Sequence, residues 1–318
     1  AQGEAPFLAG KTVSIIIPAG PGGVYGLYGQ AAAPFLRKHL PGQPQVVMQY
    51  MPGGGGIVAA NYIANVAPTD GTVLAMPHDS LVIFQVLQPE QVKYDARHFQ
   101  WLGAIGGLSS TLSVWHAAPA KTVEDAKQQR LVIGATGRGS YMYMMPRLMN
   151  ELMGTRFDLV TGYKGIADID IAMERGEVQG RGGNWLGWKS AKADWLREGK
   201  IVHLVQIGHA KAADLPGVPL LTDLGRAEAE RQMYRFVSSV GLIGRSLALP
   251  PATPPERVAV WRKALAAALA DPEFIAQAKA SKIDIEPIAG PDIERAIGEI
   301  LSTPADVVGR LRAILGGS

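Results

Sequence analysis

The 318-residue chain contains no cysteine. That absence excludes structural disulfides, thiolate nucleophiles, zinc–thiolate sites and a lipid-modified N-terminal cysteine, and it leaves the redox compartment open. No stretch approaches the roughly 18 apolar residues that a membrane-spanning helix requires. Neither sign of charge dominates: 31 Lys and Arg stand against 28 Asp and Glu, for a net charge of +3 with no basic run, so no nucleic acid is expected as a partner. Low-complexity tracts and short tandem repeats are missing as well. The opening AQGEAPFLAGK has no initiator Met, basic region or apolar region of a signal peptide. A signal peptide already removed and a trimmed start both explain it.

Signatures of catalysis are equally thin. The six histidines (His39, His78, His98, His116, His203 and His209) show no H-x-x-H or H-E-x-x-H spacing, and no metal site is expected. Ser140 follows Gly-Arg-Gly rather than standing in G-x-S-x-G, which favours capping or ligand donation over nucleophilic attack. Gly20, Gly22 and Gly26 read G-x-G-x-x-x-G, one residue too long for a dinucleotide fingerprint, and the second strand ends at Gln49 and Tyr50 with no acid for a ribose. PGGGGIV and GRGSYM both lack the G-K-[ST] of a phosphate-binding loop. The acids of ADIDIAMERGE read as a solvated helix face. No cofactor is expected.

What is abundant is glycine, 38 residues, placed where β-branched runs give way to helical periodicity. Residues 12–17 read as a strand and 25–38 as a helix, with Pro34 inside it as a kink or early stop. Residues 45–49 form a second strand, and MPGGGGIVAANYIANVA a second glycine turn and helix. Residues 99–118 read as two short strands joined by a Gly/Ser segment, a crossing between lobes. RLVIGATGRGSYMYMMPRLMNELMG then repeats strand, glycine turn and helix, with methionines at helical spacing suited to packing. YRFVSSVGLIG (234–244) reads as a strand returning to the first lobe, and helices over 254–270, 272–279 and 304–315 close the chain. The pattern is α/β in two lobes: 1–108 plus 242–290 in the first and 109–241 in the second, with the C-terminal helices of 291–318 left unassigned between them.

A helix N-terminus presents unpaired N–H groups and about half a positive charge. Glycine lets backbone approach a ligand closely and adopt positive φ, so AGPGGVYG and GATGRGSY both suit an oxyanion. With nucleotides disfavoured, a carboxylate is the simpler guest.

Taken in order, IIIPAGPGGVYGLYGQ, QYMPGGGGIVAANYIANVAPTDGTVLA, YDARHFQWLG, IGATGRGS, GYKGIADIDIAMERGEVQG and LPGVPLLTDLG resemble the periplasmic solute-binding proteins of tripartite tricarboxylate transporters, the Bug family. The resemblance runs from about Lys11 to the final helices. It implies a type II, Venus-flytrap fold with a central sheet flanked by helices in each lobe, no catalysis, export with loss of a signal peptide, and delivery of a di- or tricarboxylate or aromatic acid to membrane transporter subunits. An α/β enzyme acting on a phosphorylated or acyl substrate, and a sensor for a membrane partner, are the competing expectations. Carried over, the ligand residues are Gly22, Gly23, Val24 and Tyr25 of the first loop, Thr136, Gly139 and Ser140 of the second, and Ser80, Tyr163 and Asn184 selecting the far end. The hinge is expected near 107–112 and 238–244, in a monomer. One departure stands out: Gly26 and Gln30 occupy positions where the family usually has Asp and Arg.

Overall fold

The computed structural model describes residues 7–21, 24–107, 109–208, 210–281 and 283–316. In chain order the elements are β1 (Thr12–Ile17), α1 (Val24–His39), β2 (Gln45–Tyr50), α2 (Ile57–Asn65), β3 (Val73–Ala75), α3 (Leu81–Leu87), β4 (Gln100–Ala104), β5 (Ser110–Trp115), α4 (Val123–Gln128), β6 (Leu131–Gly134), α5 (Tyr141–Met153), β7 (Phe157–Val160), α6 (Ile166–Glu174), β8 (Gly180–Asn184), α7 (Trp185–Ala191), α8 (Ala193–Arg197), β9 (Ile201–Ile207), α9 (Glu228–Ile243), β10 (Ser246–Leu249), α10 (Pro255–Leu269), α11 (Pro272–Ala280), β11 (Ile288–Ala289), α12 (Gly290–Leu301) and α13 (Ala305–Leu315). They form two compact units, Ala1–Gly107 with Leu242–Leu301, and Leu108–Gly241 with Ser302–Ser318. The closing helices therefore divide, α12 belonging to the first unit and α13 to the second.

The first unit holds a six-stranded sheet in the order β11-β4-β10-β3-β1-β2, and the second a five-stranded sheet in the order β7-β6-β8-β5-β9. β1 lies between β2 and β3, parallel to both, and its TVSIII is buried almost throughout, as a strand covered on two faces requires. β10 and β4 follow antiparallel. In the second sheet β6 is parallel to β7 and β8, and β5 and β9 follow antiparallel. The order β2-β1-β3-β10-β4 is thus repeated as β7-β6-β8-β5-β9, with the same sequence of parallel and antiparallel pairings.

In each unit the chain moves outward through one helix and back past the starting strand through the next. Right-handed crossovers place those two helices on opposite faces. On the first unit's α1 face, Tyr25, Tyr28, Ala32, Phe35 and Leu36 form the buried stripe, and Phe35 meets Phe274 of α11 with ring centroids 5.0 Å apart. The last turn of α1 carries Arg37, Lys38 and His39, suited to its negative end, and Asp271 lies 2.9 Å from Lys38 and 2.8 Å from His39. On the opposite face Ile63, Leu81, Trp101, Ile293 and Ile297 share one core. In α5, Met142, Met144, Met145, Met149, Leu148 and Leu152 are buried, so the methionine run is packing, and Gly154 at φ 75° ends the helix.

Residues 234–243 are helical, within α9, and not a strand, and Gly244 lies in the turn that follows. From Met233 to Ile243 every side chain except Arg235 is buried, so burial on all sides erases the amphipathic period by which a helix is recognised. Pro34 and Pro146 both lie inside continuous helices. Among the described residues no helix is long and apolar enough to cross a membrane.

Candidate functional site

Every described residue singled out from the sequence lies at the carboxyl end of a parallel strand, where open α/β sheets bind ligands. In the first unit, Val24 and Tyr25 open α1 after β1, and Ser80 precedes α3 after β3. Gly22 and Gly23 lie outside the described residues. In the second unit, Thr136, Gly139 and Ser140 follow β6, Tyr163 follows β7, and Asn184 ends β8. Given the shared strand order, Ser80 and Asn184 occupy equivalent places.

Val24 is half exposed, while Tyr25 is buried with its ring stacked on His78 at 5.5 Å and its hydroxyl accepting the Asp79 N–H at 3.0 Å. Ser80 is buried and its hydroxyl donates to Asp79 Oδ1 at 3.2 Å. Burial pushes the hydroxyls of Tyr25 and Tyr28 upward, that of Tyr28 to about 12, so both remain neutral phenols. In the second unit, Ser140 is the N-cap of α5, yet its hydroxyl donates to the Gly137 carbonyl at 2.8 Å and caps no helical N–H. The Ser140 carbonyl instead accepts from the Tyr143 and Met144 amides, each at 3.0 Å. Asn184 does cap, its side chain accepting from Gly187 N at 3.3 Å. Tyr163 packs on the cluster of Ala135, Met142 and Trp185.

The glycines do different work from what the sequence suggests. Gly20, Gly137 and Gly139 do not have positive φ, and a Cβ at any of them would meet open space. The left-handed backbone is concentrated in Gly53, Gly54, Gly55 and Gly56, between β2 and α2, with φ of 139°, 54°, 62° and 97°. A Cβ on Gly56 would stand 2.5 Å from that of His78 and 3.3 Å from that of Pro18. Only glycine brings this loop against the residues that follow β1 and β3.

The departure at Gly26 and Gln30 has a structural counterpart. A Cβ at Gly26 would lie 3.0 Å from the Tyr50 hydroxyl, and Gln30 Nε2 donates to that same hydroxyl at 3.1 Å. Tyr50 fills the room that a side chain at position 26 would need, and the first turn of α1 carries no acid.

Sequence reasoning missed the charged residues that the fold gathers in each unit. Asp170, within ADIDIAMERGE, is not on a solvated face: it is buried, 2.6 Å from Arg181 Nε and 3.4 Å from Lys192 Nζ, and the Arg181 guanidinium lies 3.7 Å over Trp188. In the first unit, Arg245 lies 4.0 Å over the Tyr25 ring and 4.0 Å from Asp79 Oδ2. Its signal was present, because Arg245 is the sole charge between Arg235 and Glu256. Asp170 and Arg181 gave none, since eleven residues and two different elements separate them.

The nearest approach to a nucleophile and base is a buried chain in which Thr111 Oγ1 meets Ser113 Oγ at 2.7 Å and Ser113 Oγ meets His203 Nδ1 at 2.8 Å. Ser113 is wholly buried, and burial pushes the His203 imidazole down to about 4, so the imidazole is neutral near pH 7. Among the described residues no three His, Cys, Asp or Glu side chains are grouped to hold a metal.

Similarity to known proteins follows the fold. The chain is 24% identical over 294 residues to the UPF0065 protein in gbd 5'region of Cupriavidus necator, covering 90% of this chain and 83% of that one. A TctC solute binding protein from Polaromonas superposes with a TM-score of 0.74 at 19% identity, covering 96% of this chain and 99% of that one. From Rhodopseudomonas palustris, Rpa4515 with adipate gives 0.67 at 20% identity over 96% and 98% of the two chains. MatC of the same organism, with bound malate, gives 0.65 at 20% over 94% and 99%. Residues 30–304 match the family described as tripartite tricarboxylate transporter family receptor. With that match over most of its length, on two sheets of one repeated plan, the chain belongs to the tripartite tricarboxylate transporter receptor family.

Proposed function

We propose that this chain is a non-catalytic periplasmic binding protein that captures a small carboxylate, a di- or tricarboxylate or an aromatic acid, and delivers it to the membrane subunits of a tripartite transporter. The observation that carries the reading is the repeated placement of strand-to-helix turns at the carboxyl ends of three parallel strands in each unit. Family membership supports the transport role, and malate and adipate in two proteins of the same fold support a dicarboxylate as the first guest to try. The turn after β1, with Gly22, Gly23, Val24 and Tyr25, and that after β6, with Thr136, Gly139 and Ser140, supply the donors. Ser80, Tyr163 and Asn184 face the far end of the ligand, and segments near 107–112 and 238–244 flex as it binds.

Main-chain donors recognise any carboxylate, so identity is set by side chains. A thermal-shift panel of mono-, di- and tricarboxylates, aromatic acids, nucleotides and sugar phosphates tests the proposal. A ligand at about a hundred times its Kd stabilises the fold by about 2.7 kcal/mol. Stabilisation by at least one carboxylate is the expected result, and silence from all carboxylates alongside a response to nucleotides or sugar phosphates would refute it.

A further inference from the structure

Arg245 stands at the start of β10 with its backbone locked on both sides, its N–H donating to Gly106 O at 3.2 Å and its carbonyl accepting from Ile105 N at 2.9 Å. Its side chain is 7% exposed. The guanidinium lies 4.0 Å over the Tyr25 ring and 5.7 Å from that of Tyr28. Nη1 donates to the carbonyl of the adjacent Gly244 at 3.2 Å. The nearest carboxylate oxygen, Asp79 Oδ2, is 4.0 Å away, outside hydrogen-bonding range, and Nε has no hydrogen-bond partner among the described residues.

A guanidinium carries five N–H donors and does not lose its charge. Buried with its donors so poorly matched, it is costly unless an anion completes it. Asp79 is ill placed to do so, since its other oxygen accepts from Ser80 Oγ at 3.2 Å and lies 3.1 Å from His78 Nδ1. The aromatic ring beneath the guanidinium belongs to the first turn of α1, a sixteen-residue helix whose N-terminal end is itself positive and has no acid in its first turn. A helix end and an incompletely paired cation therefore meet at Tyr25.

We propose that Arg245 is a specificity-determining residue of the first unit, pairing through its fork with a carboxylate of the captured acid laid against Tyr25. The inference rests on the carboxylate-capture reading and deepens it: the chain selects ligands that present an anion, and not an amide or ester, at this point. Asp79 competes with the ligand for the same cation and holds the charge in balance when no ligand is bound.

Isothermal titration with the best carboxylate of the panel and with its carboxamide counterpart tests this in the full chain. Arg245→Gln and Arg245→Met should weaken the acid by roughly 30-fold and the amide by less than about threefold, the signature of a lost charge-assisted pair. Arg245→Lys, which keeps the charge without the fork, should fall between. Asp79→Asn, which leaves the arginine untouched, should tighten the acid by a few-fold, as expected when a competing charge about 4 Å away is removed. Unchanged acid affinity in Arg245→Gln and Arg245→Met overturns the assignment while leaving carboxylate capture intact. Were both variants to misfold, unchanged or weaker binding by Asp79→Asn would overturn it instead. A wild-type chain that binds no carboxylate removes both readings together.

Discussion

Among the described residues each unit buries one arginine, and the two are held in opposite ways. Arg181, on β8, has the Asp170 carboxylate at 2.6 Å, the Gly182 carbonyl at 3.1 Å and the indole face of Trp188, with Lys192 drawn in on the far side of Asp170. Arg245, just before β10 of the other sheet, has an aromatic face and a neighbouring carbonyl but no carboxylate within hydrogen-bonding range. The contrast separates two uses of a buried charge. One is closed within the fold and its removal is felt by the fold; the other is left open, and its removal is felt by whatever comes to complete it.

The largest effect expected from that contrast is on stability without ligand. Asp170→Asn strands Arg181 and should cost about 3 to 5 kcal/mol in urea unfolding, whereas Arg245→Met should cost less than about 1 kcal/mol. Equal losses would dissolve the distinction. Next comes pH. His203 in the second unit has its imidazole pushed by burial from 6.5 down to about 4. The unfolded chain thus binds more protons across that window, so stability is full above pH 6.5 and falls as pH drops toward 4, by roughly 3 kcal/mol in all. Hydrogen exchange should show the sheet containing β5 and β9 loosening first. Carboxylates held low by their partners, such as Asp95 beside Arg97 in the first unit, add losses only below their ordinary value of 3.8. Loss of protection in the first unit before the second between pH 6.5 and 4 would contradict this order. The smallest effect concerns two caps within the second unit. Asn184→Ala removes a capping bond and should cost up to about 1 kcal/mol, while Ser140→Ala, whose hydroxyl caps nothing, should cost less than about 0.5 kcal/mol in the same denaturant assay.

The alternation of strands and helices was legible because each βαβ step writes its period locally. TVSIII and QVVMQY differ plainly from the 25, 28, 32, 35 spacing of α1. The echo between the two glycine turns was legible too, and it proved to extend to the order and direction of five strands in each sheet. What failed was whatever depends on burial from several sides. The C-terminal half of α9 presents no polar face, so its β-branched and aromatic residues looked like a strand. Asp170 looked solvated because its partners lie on β8 and at Lys192. Within the candidate site, the loops were found from glycine content, but the conformational need for glycine lies at Gly53–Gly56 and not at Gly20, Gly137 or Gly139. Composition counts glycines; only the path of the backbone says which of them must be left-handed.

The place of β10 has a consequence for how the molecule is made. It sits between β3 and β4, yet it is encoded after the whole second sheet. During synthesis the first sheet waits with a gap in its middle until residues 246–249 leave the ribosome, although its other long strands were finished more than a hundred residues earlier. Each half of the protein takes its last segment from chain encoded after part of the other, so no fragment cut at Gly107 can be a whole unit.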